Sequence, residues 1–235
     1  MQRVICRQYG FSLIELSIVL LVIGLLLAGM MTGLSNLIWH AKFSEAKKDL
    51  SLTTDALIGY VISNGGLPCP DTDGYHGNSG SPDGMANAGG VDGCDAESGY
   101  LPWRDLGLKA RDPWNNLYFY RIDTSYAKPP PVSDQVVTFL LTEPDGNIEV
   151  RSSSSGSTIA NNIAAIFFSV GPNGYITTAD SPSADEDENL DDDTRFVDKA
   201  YVAEGSSVPE FDDVVHWLSS FVLKSKMVEA KRLPE

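Results

Sequence analysis

The chain has 235 residues, 43% of them hydrophobic and 21% charged, enough for one sizeable core or two small ones. Its net charge of −15, from 17 basic against 32 acidic residues, argues against a nucleic-acid binder, since phosphate contacts need clustered Lys and Arg. The three histidines, His40, His76 and His216, lie too far apart for a metal-ligand spacing.

Residues 1–10 are short and basic, with Arg3 and Arg7 and no acid. From Phe11 to Trp39 the chain is almost wholly apolar, with Glu15 as its only charge. About 20 apolar residues suffice to cross a bilayer as a helix, and Leu16 to Trp39 meets that length. From His40 to Tyr60 the pattern turns amphipathic, with Ala41, Phe43, Ala46, Leu50, Ala56 and Leu57 among Lys42, Glu45, Lys47, Lys48, Asp49 and Asp55. No proline interrupts Phe11–Leu67, and Asn64-Gly65-Gly66 ahead of Pro68 reads as a stop. The prediction is one helix of about 50 residues, roughly 75–80 Å long. Gly29-Met30-Met31-Thr32-Gly33 is a G-x-x-x-G, which fits close approach of spanning helices and equally the ordinary abundance of glycine there.

Residues 65–100 are rich in Gly, Asp, Asn and Pro. Strands are predicted at Leu117–Ile122, Gln135–Thr142, Asn147–Arg151, Ile163–Val170 and Phe196–Val202, separated by Pro- and Gly-containing turns. Residues 180–193 hold eight acids and no base, and read as a solvated loop, with calcium binding as the other reading. Phe211–Leu223 is predicted as a short helix followed by a basic tail.

The order of features at the N-terminus is informative. A secretory signal has its cleavage site after the apolar run, and no A-x-A follows this one. Gly10 instead stands before it. A cut there would remove Cys6, leave the apolar helix on the mature chain and create a new amine on Phe11. Glu15 is then a carboxylate near the end of a spanning helix, a costly placement that usually has a partner. The amine of a neighbouring Phe11 would supply one; hydration of Glu15 at the membrane interface is the other reading.

Gly10-Phe11-Ser12-Leu13-Ile14-Glu15-Leu16 behind a basic leader resembles the prepilin processing motif of type IV pilins and type II secretion pseudopilins. The resemblance implies cleavage between Gly10 and Phe11 by a prepilin peptidase, N-methylation of Phe11, and pairing of Glu15 with a neighbour's N-terminus during filament assembly. The helix-bending proline of many major pilins is missing here. Asp112-Pro113-Trp114-Asn115-Asn116-Leu117-Tyr118 resembles the D-P-W-G-N-x-Y segment of pseudopilin heads, with Asn115, which tolerates the left-handed conformation, in place of Gly. Leu67-Pro68-Cys69-Pro70-Asp71, Leu101-Pro102-Trp103 and Phe211-Asp212-Asp213-Val214-Val215 look like segments of longer, minor pilin-like proteins. Trp103, Trp114 and Trp217 read as core or turn-packing residues.

With Cys6 gone, Cys69 and Cys94 can pair, closing a loop with few apolar anchors in an oxidising compartment. Asp71-Thr72-Asp73-Gly74 suggests a calcium turn, but the EF-type order fails, and a polar turn at Asp71 and Asp73 is the preferred reading. No other cofactor is implied. No catalytic motif for a serine hydrolase, zinc protease or nucleotide-binding enzyme is present.

The expected fold is α+β and pilin-like, one long N-terminal helix with a transmembrane first half, packed on an antiparallel β-sheet head. The expected organisation is a leader over 1–10, a transmembrane segment over 11–39, an amphipathic continuation over 40–64 and a disulfide-containing head over 65–235. The expected function is that of a non-enzymatic structural subunit, minor rather than major, of a type IV pilus or type II secretion filament. It would sit in the inner membrane with a periplasmic head, and in the periplasm or at the cell surface once assembled. Its partners would be other pilin or pseudopilin subunits, the prepilin peptidase and membrane lipid, without nucleic acid. A membrane-anchored periplasmic hydrolase and a calcium-dependent adhesin head are the alternatives.

Overall fold

The first long element follows from uninterrupted helix-forming sequence. In the computed structural model, helix α1 runs Leu13–Asn64, 52 residues. The structure describes residues 12–89, 93–132, 134–143, 145–174, 179, 183–203 and 206–233, without the side chains of 27–36. Two units divide within α1, between Lys42 and Phe43. Among the described residues no helix is long and apolar enough to cross a membrane; the span predicted over 11–39 lies partly outside them. Gly65 ends α1 at φ 92°, its N–H donating to the Val61 carbonyl at 2.7 Å. A Cβ there would stand 2.3 Å from the Val136 carbonyl oxygen, so this position needs glycine twice over.

In the second unit, strands β1 (Ala88–Gly89) and β2 (Gly93–Cys94) form a small ribbon. The main sheet holds β3 (Ser98–Tyr100), β4 (Phe119–Ile122), β5 (Ile148–Arg151), β6 (Thr158–Ser169), β7 (Arg195–Val197) and β8 (Val214–Ser219). Helix α2 (Trp103–Leu106) follows β3, α3 (Ala184–Leu190) precedes β7, and α4 (Ser220–Glu229) continues from β8. The order is β3-β4-β6-β5-β7, with β8 also on β6. Residues 165–168 of β6 pair with β4 on one edge and β8 on the other, while its first half pairs with β5. The sheet is antiparallel except for β5–β7, which is parallel, and fits the predicted α+β fold with an antiparallel head.

Both faces of this sheet are covered. Ala46, Leu50, Leu57 and Val61 form the buried stripe of α1, at spacings that return to one helix face. They meet Tyr118, Tyr120 and Ile122 of the β4 strand and its approach, Ala165 and Phe167 of β6, and Leu223 and Met227 of α4. The alternate residues Phe119, Ile166 and Phe168 join Tyr75, Tyr100, Val150, Leu190 and Phe196 on the opposite face. Lys109 reaches back to α1 with Nζ 2.6 Å from Asp49 and 2.9 Å from Glu45.

Three predictions are corrected. Gln135–Thr142 forms no strand among its described residues; it is an extended segment tied by the Thr138 N–H to the Gly65 carbonyl and by Lys128 Nζ to the Val136 carbonyl. Phe211–Leu223 is a strand followed by a helix, not a single helix; the Ser219 hydroxyl accepts from the Phe221 N–H at the junction and caps α4. The acidic stretch is not wholly loop, because α3 begins after Ser183 with Asp185, Glu186 and Asp187 in its first turn, where the helix dipole favours acids. Bases from elsewhere hold it: Lys199 pairs with Asp185, and Arg195 with Glu188 and Asp193.

Candidate functional site

Gly10 and Phe11 lie outside the described residues. Glu15 is exposed in the first turn of α1. Its N–H donates to the Ser12 hydroxyl at 3.2 Å, while the Leu16 N–H donates to the Ser12 carbonyl at 3.1 Å. Ser12 is thus the cap and Glu15 the third helical residue, the S-x-x-E spacing of a capping box. The carboxylate therefore stands where the helix start favours negative charge, whatever else it meets. The sequence suggested pairing or interfacial hydration for Glu15, and this local role was missed although the S-x-x-E spacing stands in the sequence.

Cys69 and Cys94 are joined by a disulfide across 25 residues, Cα–Cα 5.3 Å. Cys94 lies on β2 opposite Ala88, so the bridge fastens the ribbon to the start of the head. Asp71 next to it is buried and fully employed. Its Oδ2 accepts from the Gly84 N–H at 2.6 Å and its Oδ1 from the Asp73 N–H at 3.1 Å, and its backbone exchanges two hydrogen bonds with Tyr100. Burial raises the Asp71 carboxyl against these donors. Asp83 joins Asp71 and Asp73 with one oxygen each within 4.8 Å. Since both Asp71 oxygens are already bound by backbone donors, the geometry is that of a turn-building aspartate.

The disulfide loop is clasped to the acidic segment. The Tyr75 hydroxyl donates to Asp192 Oδ1 at 2.6 Å, His76 Nδ1 lies 2.9 Å from Asp192 Oδ2, and Arg121 donates to the Asp192 carbonyl at 2.8 Å. Burial and the Asp192 hydrogen bond push the Tyr75 phenol far above its usual range. The D-P-W segment is built from one carboxylate: Asp112 Oδ1 accepts from the Trp114 and Asn116 N–H groups at 2.9 and 2.8 Å, and Oδ2 from the Ser169 hydroxyl at 2.5 Å. Asn115 sits at φ 77°, the left-handed conformation that the glycine replacement required. Trp114 packs edge-on to Phe43 at 4.8 Å, while Trp103 and Trp217 pack against the second core cluster.

A second carboxylate group went unrecognised in the sequence because its members are far apart in the chain. Glu186 of α3 meets Asp212 and Asp213, which precede β8; all three are buried and bring one oxygen each within 4.8 Å. Glu186 Oε1 accepts from the Asp212 N–H at 3.0 Å, and both its oxygens face the Asn173 amide. Asp212 Oδ2 accepts from the Asn173 N–H at 3.2 Å, and Asp213 Oδ2 from the Asn189 amide at 2.7 Å. Burial, with Glu186 alongside, pushes the Asp212 carboxyl up to about 7, and burial raises Asp213 as well.

No curated protein and no solved structure matches the chain. Residues 5–31 match the family model described as the prokaryotic N-terminal methylation motif. That segment contains Gly10, Phe11 and Glu15 and leads into α1 and the α+β head. This motif, at the head of an α+β fold, supports the resemblance of the chain to type IV pilins and type II secretion pseudopilins.

Proposed function

We propose that this pilin-type subunit is cut between Gly10 and Phe11, methylated on Phe11, held in the inner membrane by residues 11–39, and built into a filament through Glu15. The supporting observation is the methylation motif, which brings the cleavage position and Glu15 into one segment. After cleavage, the Phe11 amine of one subunit neutralises the Glu15 carboxylate of the next in a low-dielectric setting, where such a pair is strong. The periplasmic head, with its long acidic and disulfide-bearing segments, suits a minor subunit of a type IV pilus or type II secretion filament rather than a repeating wall.

Glu15→Gln tests this cleanly, because Gln also serves at the third position of a capping box and leaves the helix start intact. Mass spectrometry should place the mature N-terminus at methylated Phe11 in both proteins. Membrane levels should be equal, and the Gln variant should be depleted from sheared filaments by about tenfold, the effect of losing roughly 1.4 kcal/mol. A mature chain that keeps Met1, or equal incorporation of both proteins, refutes the proposal.

A further inference from the structure

We infer that the cleft beside the Tyr75–His76–Asp192 clasp binds a sugar, a single hexopyranose unit. This goes beyond assembly, uses no residue of the N-terminal segment and needs no metal. The cleft has a volume of about 370 Å3, within the range of small-molecule sites, roughly 300–1,000 Å3. Its walls come from four parts of the chain: Tyr75, His76 and Asn78 of the disulfide loop, Glu97 and Ser98 at the entry to β3, Arg121 of β4, and Asp192. Two of these residues hold unusual backbone. His76 at φ 45° and Asp192 at φ 63° are left-handed without being glycine. Such residues persist only where their surroundings hold them, and they gather at ligand clamps. Here each holds the other, with His76 Nδ1 2.9 Å from Asp192 Oδ2. Glycine would take either turn without strain, yet the chain keeps two hydrogen-bonding side chains on the wall of the cleft.

The chemistry of the walls selects a neutral ligand rich in hydroxyl groups. The charges are already answered within the wall. Arg121 donates from Nη2 to Glu97 Oε2 at 2.5 Å, and from Nη1 to the Ser98 hydroxyl at 2.7 Å and the Asp192 carbonyl at 2.8 Å. A carboxylate ligand would therefore meet Glu97 and Asp192, and an ammonium would meet the guanidinium. Hydrogen-bonding capacity is left over in both senses. Glu97 Oε1 accepts from no donor among the described residues, and its side chain is 42% exposed. The contact of His76 Nδ1 with Asp192 leaves Nε2 for a ligand. The Ser98 hydroxyl, which accepts from Arg121, keeps its own proton to donate, and Asn78 Nδ2 spends one of its two hydrogens on the Thr72 carbonyl. A sugar hydroxyl donates and accepts at once, so neighbouring hydroxyls on one ring satisfy such a mixed set.

The clasp also supplies a flat, rigid surface. The His76 ring stacks on Tyr75 at 4.1 Å and 7°, and Tyr75 is held edge-on by Tyr100 and Phe119 at 5.5 and 5.8 Å. Backed in this way, and with 31% of its side chain exposed, the imidazole offers an aromatic platform to the C–H face of a pyranose ring. A few placed polar groups around an aromatic surface are the usual make-up of a small-molecule site.

The test uses the full chain in dodecylphosphocholine micelles, a detergent without sugar, and saturation-transfer difference NMR. The probes are the methyl glycosides of glucose, galactose, mannose and N-acetylglucosamine, each added alone, with sodium acetate and methylammonium chloride as charged controls. At least one glycoside should show saturation transfer to its ring protons, and neither control should respond. His76→Gly suits the left-handed position and so removes the imidazole while keeping the turn. It should weaken the glycoside by about tenfold, the loss of roughly 1.4 kcal/mol. Asn78→Ala should weaken it in the same direction, and Lys109→Ala, outside the cleft, should leave it unchanged. Three results would overturn the inference: no transfer to any of the glycosides in the unmutated protein, transfer to acetate or methylammonium in their place, or a glycoside signal kept in full by both His76→Gly and Asn78→Ala. The first two do not depend on any variant folding.

Discussion

Replacing both bridged cysteines by alanine removes the tie across Cys69–Cys94 without leaving a lone thiol. For 25 residues of separation, the chain-entropy expression gives about 3.5 kcal/mol of stabilisation at 25 °C. Spread over a chain of this size, that corresponds to a fall in Tm of about 10 °C. The native loop should survive the change at neutral pH, because other bonds pin it: the Asp71–Tyr100 backbone pair, the Gly84 N–H on Asp71, the Arg104 N–H on the Gly84 carbonyl and the Ala86 N–H on Asp105. The effect should therefore appear as a lower urea midpoint, with amide exchange rising in residues 69–94 before it rises in α1. Equilibrium urea unfolding of the full chain, with and without reductant, measures it; reduced wild type should match the double variant. A loss below about 1 kcal/mol would show that the unfolded chain is already restrained there and would refute the entropy argument.

Asp112→Ala strips two backbone N–H groups and the Ser169 hydroxyl of their acceptor and should cost about 3 kcal/mol in urea unfolding, while Asp112→Asn should cost less. Alkaline titration followed by phenolate absorbance should show delayed ionisation of the buried tyrosines. Burial pushes Tyr126 up to about 12, and Tyr75 and Tyr118 shift further in the same direction. Since the unfolded phenol ionises near pH 10 and the folded one holds its proton longer, these groups contribute stability that is fully present below about pH 10 and is lost as pH rises toward 12. Phenolate forming near pH 10 in the folded protein would contradict the burial.

The parts of the fold legible in the sequence are those fixed by local chemistry. Helix α1 needed only an unbroken run without proline and a glycine stop, and the turn at Asn115 needed only a residue that tolerates positive φ. The strand-to-helix join at Ser219 was not legible, because β8 is covered on both faces: Val214 and Leu218 pack on one side, Val215 and Trp217 on the other. With apolar residues on both faces, no two-residue alternation remains to distinguish strand from helix. Gln135–Thr142 has the composition of a strand but pairs with no strand among the described residues; Val136 and Leu140 stay exposed. Of the candidate site residues, Asp71 and Asp73 stood together in a readable turn. Glu186, Asp212 and Asp213 met only through tertiary folding, although the Asp212-Asp213 pair had been singled out for its resemblance to other heads.

The stripe Ala46, Leu50, Leu57 and Val61 makes α1 a wall of the second unit's core as well as its lead-in. A soluble fragment begun at Gly65 would uncover the Tyr118, Tyr120 and Phe167 side chains that this wall closes over, and would aggregate on expression. A fragment begun at Phe43 keeps the wall, together with the Phe43–Trp114 contact. The place to cut for crystallisation or display is therefore two-fifths of the way from the far end of the helix rather than at its finish.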